Sequence, residues 1–175
     1  MFDEKQIEVM IDRETLEKRI AELGAEISRD YAGKELYMIC VLKGGAMFMT
    51  ELSKSITVPV LWDFMVLSSY GNDLISSGEV SIKKNLDGSI DGKHVLIVED
   101  IVDTGRTLCF LSEYLMKKGA ASVKIATMLD KPSRRVVPVK VDYTGFSIED
   151  EFVVGYGLDY AQRYRNLPYI GYVKM

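Results

Sequence analysis

Cysteine and histidine are almost missing from this sequence. Two cysteines, Cys40 and Cys109, and a single histidine, His94, stand in 175 residues. The cysteines fall inside apolar segments, without a C-x-x-C spacing or a histidine-rich neighbourhood, which speaks against a disulfide framework and against a zinc site. Also missing is any run of the roughly 18 apolar residues that a membrane span needs. The leading Met1-Phe2-Asp3-Glu4-Lys5 has no basic start followed by an apolar stretch. These absences predict a cytoplasmic protein with no membrane partner. Basic charge is not in excess either: 22 Lys and Arg against 26 Asp and Glu leave a net charge of −4, so nucleic acid is not the expected partner. Internal repeats and low-complexity segments are absent as well.

What is present can build a core. With 47% apolar residues, the chain is too rich in them for global disorder, and its length predicts one domain over residues 1–175. Leu16, Ile20, Leu23 and Ile27 repeat at helical spacing, with Asp12 placed as an N-cap and Gly33 shortly beyond the pattern. Three runs, Tyr37 to Leu42, Val95 to Val98 and Val123 to Leu129, are apolar with little alternation. They read as parallel strands covered on both faces. Between the first two lie a helical stretch with Phe48, Leu52 and Ile56 on one face and a β-rich segment from Val58 to Leu67, where Trp62 is expected in the core. Strands alternating with helices predict an α/β fold with a central, mostly parallel sheet. From Ser68 to Gly92 the composition turns polar and glycine-rich, either a lid or a surface loop; long loops in compact domains are often functional, which favours a lid, with a short hairpin around 79–84. The pieces Phe152 to Val154 and Tyr169 to Val173 read as strands in the tail of the same domain.

The most informative segment is Val95-Leu96-Ile97-Val98-Glu99-Asp100-Ile101-Val102-Asp103-Thr104-Gly105-Arg106-Thr107-Leu108. A buried strand runs into it, and Leu108, Leu111 and Leu115 beyond it mark a helix that ends with Lys117 and Lys118 before Gly119. At a strand-to-helix turn, unpaired amides face outward beside the positive end of the helix dipole, and a glycine lets the backbone approach an anion. Thr104 and Thr107 add hydroxyl donors, so the turn reads as a phosphate cradle. Glu99, Asp100 and Asp103 would repel a phosphate and need other work. Glu99 and Asp100 suit ribose hydroxyls, directly or through hydrated Mg²⁺, and Asp103 is placed to hold or remove a proton. His94 lacks a serine or cysteine partner in a recognisable context and reads as structural.

Two acids, two β-branched residues and Asp-Thr-Gly-Arg-Thr resemble the phosphoribosyl-diphosphate (PRPP) signature of the type I phosphoribosyltransferases. The rest of the chain resembles their 6-oxopurine branch. The resemblance implies a parallel sheet flanked by helices, a small hood drawn mainly from residues 150–175, and a closing loop over about 68–92. It also implies a homo-oligomer, dimer or tetramer. Leu42-Lys43-Gly44-Gly45 resembles the family's pyrophosphate loop, which gives Lys43 and Gly44 to PRPP. Ser68-Ser69-Tyr70-Gly71 resembles the closing loop, with Ser69 and Tyr70 as its pair. By the same resemblance PRPP meets Glu99, Asp100, Asp103, Thr104, Gly105, Arg106, Thr107 and Arg165. Lys131 donates to the purine 6-oxo group, Phe152 stacks on the base, the Val153 backbone meets its ring edge, and Asp159 lies at the purine end. Mg²⁺ falls to Glu99 and Asp100, with a second ion at Asp159. The implied reaction moves 5-phosphoribosyl from PRPP to N9 of a 6-oxopurine, with Asp103 as proton partner. Two rivals stand beside it: a PRPP-sensing regulator on the same fold, and the same chemistry on xanthine or another base.

Overall fold

The strand Leu36–Val41 is buried at all six of its positions, because neither face of a central parallel strand meets water. The computed structural model describes residues 7–69 and 80–173. Its elements in chain order are β1 (Ile7–Ile11), α1 (Arg13–Asp30), β2 (Leu36–Val41), α2 (Ala46–Lys54), β3 (Val60–Ser69), β4 (Val80–Lys84), β5 (His94–Val102), α3 (Arg106–Lys117), β6 (Ser122–Asp130), β7 (Tyr143–Ser147), β8 (Val153–Val154) and β9 (Ile170–Val173). Six strands form one sheet in the order β4-β3-β2-β5-β6-β7, parallel throughout except for the antiparallel β3–β4 edge. The pleat divides the core. Leu36, Met38 and Cys40 of β2, with Leu96 and Val98 of β5, face α1 and α2. Tyr37, Ile39 and Val41, with Val95 and Ile97, face α3.

The expected helix signals are in place. Asp12 caps α1 by accepting from the Thr15 amide at 2.8 Å, and Gly119 closes α3 in the left-handed region, φ +93°. No helix among the described residues is long and apolar enough to cross a membrane.

Four expectations change. The strand expected over Val95 to Val98 runs on to Val102, so Glu99 and Asp100 belong to β5 and not to a loop; β6 continues beside them, pairing Glu99 with Thr127 and Val102 with Asp130. Trp62 is not core but 46% exposed. It pairs in register with Met38, yet α2 packs over β2 and β5, and the β3 position beside them stays uncovered except for Phe64, edge-on at 6.4 Å. The tail strands leave the main sheet: β8 and β9 form a second sheet with β1, in the order β1-β9-β8. The hood therefore draws on the first described residues as well as on the last. The polar segment 68–92 divides: Ser68 and Ser69 finish β3, residues 80–84 form β4 against them, and Ile90 is buried in the core at 2% exposure. Residues 70–79, Tyr70 among them, lie outside the described residues.

One buried carboxylate fastens residues 85–92 to the sheet. Asp63, 3% exposed, accepts from the Tyr37 hydroxyl at 2.7 Å, from the amides of Asp87 at 2.9 Å and Gly88 at 3.3 Å, and from the Phe64 amide at 2.7 Å. Burial pushes its pKa up, but these hydrogen bonds outweigh burial and hold it below the usual carboxylate range. The folded pKa thus lies under the unfolded one, so the stabilisation is complete above the unfolded value of about 3.9 and is lost as pH falls through the folded value. Denaturant unfolding from pH 7 downward is expected to show stability declining below about pH 4. In Asp63→Asn that decline flattens, and neutral stability drops by about 1–3 kcal/mol.

Candidate active site

The β2–β5 pairing ends at Cys40 and Val98, and the chain leaving β2 turns across the vacated edge of β5. A Cβ on Gly45 would lie 3.0 Å from the Val98 carbonyl, and one on Gly44 would lie 1.6 Å from Asp100 Oδ2. The Leu42–Lys43 peptide in this turn is cis. Above it sits the hood loop: a Cβ on Gly157, φ +99°, would meet the Gly44 carbonyl at 2.1 Å. Asp100, Gly44 and Gly157 are stacked at contact distance, which brings β5, the β2–α2 turn and the hood to one point.

Glu99 and Asp100 are partly buried there and hydrogen-bond to each other. Burial raises the Glu99 pKa well above the usual range, and the neighbouring Asp100 charge raises it further. Burial also raises that of Asp100, against the pull of its hydrogen bonds to Glu99 and the Ile101 amide. Both shifts disfavour a doubly charged pair, and a nearby cation would offset them. Two adjacent hard oxygen donors short of positive charge fit Mg²⁺, which needs one or two protein carboxylates and keeps its remaining waters. Among the described residues no three acidic, histidine or cysteine side chains gather into a metal cluster. Asp159, expected at a second ion, pairs with Arg165 at 2.7 Å and accepts from the Gln162 amide at 2.7 Å.

After Val102 the chain turns through Asp103, Thr104 and Gly105 into α3. Gly105 takes φ +84° and offers no side-chain cap; the Arg106 amide reaches the Thr104 hydroxyl at 3.4 Å, and the following first-turn amides are left for an anion. A cleft of about 210 Å³ opens here, lined by Glu99, Asp103, Thr104, Gly105 and Thr107 with Val41 and Leu67. A larger cavity of about 450 Å³ between α1, α2 and Tyr156 holds the closed pairs Arg13–Glu17 and Lys54–Glu51 and none of the expected site residues.

The other expected residues are not among those that line the cleft. Lys43 is exposed and donates to Gln162 at 3.0 Å, and Arg165 also donates to the Gly157 carbonyl at 2.7 Å. Lys131 donates to the Glu151 carbonyl at 2.6 Å. Phe152 is 44% exposed and meets Tyr160 edge-on at 5.6 Å, while Val153 is buried in β8. Ser69 ends β3; its backbone alone is described, paired with Val80. Arg106 opens α3 on the exposed side of the turn.

Two residues that the sequence reading passed over fix the turn. Arg135 donates to the Asp103 carbonyl at 2.7 Å and pairs with Asp130, and Arg134 donates to Asp103 Oδ1 at 3.1 Å. Consecutive arginines after Lys131 were the only available signal. His94 is structural, in hydrogen-bond contact with the Ser122 hydroxyl at 2.8 Å, and both cysteines are free.

Residues 10–161 match the family model described as a phosphoribosyl transferase domain. The chain belongs to the phosphoribosyltransferase family. It is 52% identical over 166 residues to the hypoxanthine-guanine phosphoribosyltransferase of Bacillus subtilis, covering 95% of this chain and 92% of that one. A bifunctional protein TilS/HprT of Listeria innocua is likewise 52% identical across 95% of this chain, which spans only 26% of that longer relative. The crystal structure of a hypoxanthine phosphoribosyltransferase from Staphylococcus aureus superposes with a TM-score of 0.94 at 48% identity, covering 98% of this chain and 94% of that one. The type I architecture of the family and the sheet order found here therefore coincide.

The contact at Gly157 is testable. An alanine there must adopt a left-handed φ and also displace the Gly44 backbone, so Gly157→Ala is expected to cost about 1–3 kcal/mol of stability in denaturant unfolding. Val9→Ala, at an exposed hood position, serves as a control with an effect of at most about 0.5 kcal/mol.

Proposed function

We propose that the protein transfers 5-phosphoribosyl from PRPP to N9 of hypoxanthine or guanine, giving IMP or GMP and pyrophosphate, and that it works in purine salvage in the cytoplasm as a homo-oligomer. The observation that carries this reading is the cleft at the end of β5, where a helix start without a side-chain cap at Gly105, two threonines and the carboxylates of Glu99 and Asp103 adjoin, with Asp100 next to Glu99 in the strand. A phosphate binder alone has no use for those acids, and a metal enzyme alone has no use for the amide cradle. A metal-assisted phosphorylated sugar uses both.

In this reading the amides and hydroxyls of residues 104–107, with Arg106, hold the 5′-phosphate and so fix the ribose. Glu99 and Asp100 hold the ribose hydroxyls or Mg²⁺; the ion, when bound, supplies positive charge beside the diphosphate. The C1–O bond to the pyrophosphate breaks with its electron pair leaving on the diphosphate oxygen, and the N9 lone pair forms the new C1–N bond. Positive character grows on the ribose and negative charge on the leaving group. Lys43, Gly44 and Arg165 meet the leaving group. The proton lost from the purine passes to Asp103. Lys131 donates to the 6-oxo group, with Phe152 stacked on the ring and the Val153 backbone at its edge, and Asp159 orders Arg165. Ser69 and Tyr70 belong to the segment that closes over the centre, where exclusion of water protects the cationic ribose from hydrolysis.

Pyrophosphate release with PRPP, Mg²⁺ and each purine in turn tests the reading: release is expected with hypoxanthine and guanine, and its absence with every purine overturns the proposal. In the same assay Asp103→Asn is expected to lose about 10²- to 10⁴-fold in turnover while PRPP affinity is retained. Wild-type turnover in that variant would take Asp103 out of the chemistry. For Lys131→Ala the purine KM is expected to rise by about tenfold or more, and that for PRPP far less; an unmoved purine KM would end the base-recognition role.

A further inference from the structure

Lys131 is 9% exposed, and two acceptors hold its ammonium: the Glu151 carbonyl at 2.6 Å and Asp150 Oδ1 at 3.2 Å. An ammonium carries three N–H donors and no acceptor, so one donor remains. The second oxygen of Asp150 lies 3.5 Å from Arg134 Nη1, and Arg134 in turn donates to Asp103 at 3.1 Å. Resting on the transferase reading, we infer that Asp150 is a specificity-positioning residue. Together with the Glu151 carbonyl it occupies two of the three Lys131 donors and commits the third to the oxygen at the purine 6-position.

The strengths of the two Asp150 contacts decide which one matters. Arg134 and Asp150 side chains are 48% and 53% exposed and stand at 3.5 Å, and exposed pairs of that kind contribute little. The Lys131 side chain is 11% exposed, so its bond to Asp150 is poorly replaced by water. A lysine on its four-carbon stem is otherwise mobile, with three rotatable donors. Left free, it would swing toward a 6-oxo acceptor and retreat from a 6-amino donor. Held by Asp150 and the Glu151 carbonyl, it cannot retreat. A 6-amino purine would then leave two donors facing one another without partners, which is where discrimination against a polar mismatch originates. Asp150 does not touch the purine in this account; it acts through Lys131.

Steady-state transfer with hypoxanthine, together with calorimetric binding of the inosine and adenosine monophosphates, tests this in Asp150→Ala, Asp150→Asn and Asp150→Glu. For Asp150→Ala the hypoxanthine KM is expected to rise about tenfold, and the preference for the inosine over the adenosine nucleotide to fall by a similar factor, with the PRPP KM moving less than about twofold. Asp150→Glu, which keeps the charged acceptor, is expected to restore most of the preference. If Asp150→Ala does not fold, the isosteric Asp150→Asn gives the same readout. An unchanged nucleotide preference in a folded variant, or equal weakening toward both nucleotides, overturns the inference while wild-type activity stands. A wild-type protein that transfers to no purine overturns the functional reading itself.

Discussion

Two carboxyl groups on successive residues of one strand, Glu99 and Asp100, share the edge of the sheet where water is scarce, and most of the site follows from accommodating them. Burial raises both pKa values, and the neighbouring Asp100 charge raises that of Glu99 further, so a cation beside the pair would be welcome. The chain that crosses over Asp100 can carry no side chain at position 44 without displacing the carboxylate. Gly44 therefore lays bare backbone against Asp100, and Gly157 presses on that backbone from the hood. The position of the hood relative to the sheet is thus tied to an acid three residues before the phosphate turn.

Burial also explains why the two halves of the site differ in how firmly they are held. Gly105 starts α3 with a left-handed φ and no side-chain cap, while Val136 and Val137 donate to the Thr104 carbonyl at 3.0 and 3.2 Å and Arg135 clamps the Asp103 backbone. The turn is braced from behind, and its amides remain available in front. Preorganised donors of this kind need little rearrangement when charge arrives, which is the condition under which they stabilise it best.

How much of this was legible in the sequence depended on whether the signal was local. The Asp12 cap, the helix-ending Gly119 and the uninterrupted apolar run of β2 are properties of a few consecutive residues, and each appears where the sequence placed it. Ile7–Ile11 was not read as a strand because its pairing partner, Val173 opposite Ile7, lies at the other end of the chain. Trp62 was read as core from its apolar neighbours, but coverage by a helix is a tertiary fact that composition does not carry. Acids seldom extend a strand, so the sequence of Glu99 and Asp100 points to a loop; here the pairing with β6 outweighs that tendency. Arg134, Arg135 and Asp150 were invisible for a related reason. A charged residue in a sequence does not name its partner, and Arg134 reaches back 31 positions to Asp103.

Three cations of the site carry partners, and the partners are graded. Lys43, exposed, rests on the neutral amide of Gln162; Arg165 rests on Asp159 and a carbonyl; Lys131, nearly buried, is fixed by a carboxylate and a carbonyl. Exchanging a neutral, solvated partner for a diphosphate costs little, whereas moving a buried ammonium off a carboxylate costs several times more. In the proposed reading Lys43 is therefore the leaving-group contact most easily drawn away as charge develops, whereas Arg165 and Lys131 are each held by a carboxylate and a carbonyl. On that reading turnover responds to the loosely held Lys43 and selectivity to the tightly held Lys131, so that substitutions at the two positions affect different kinetic constants.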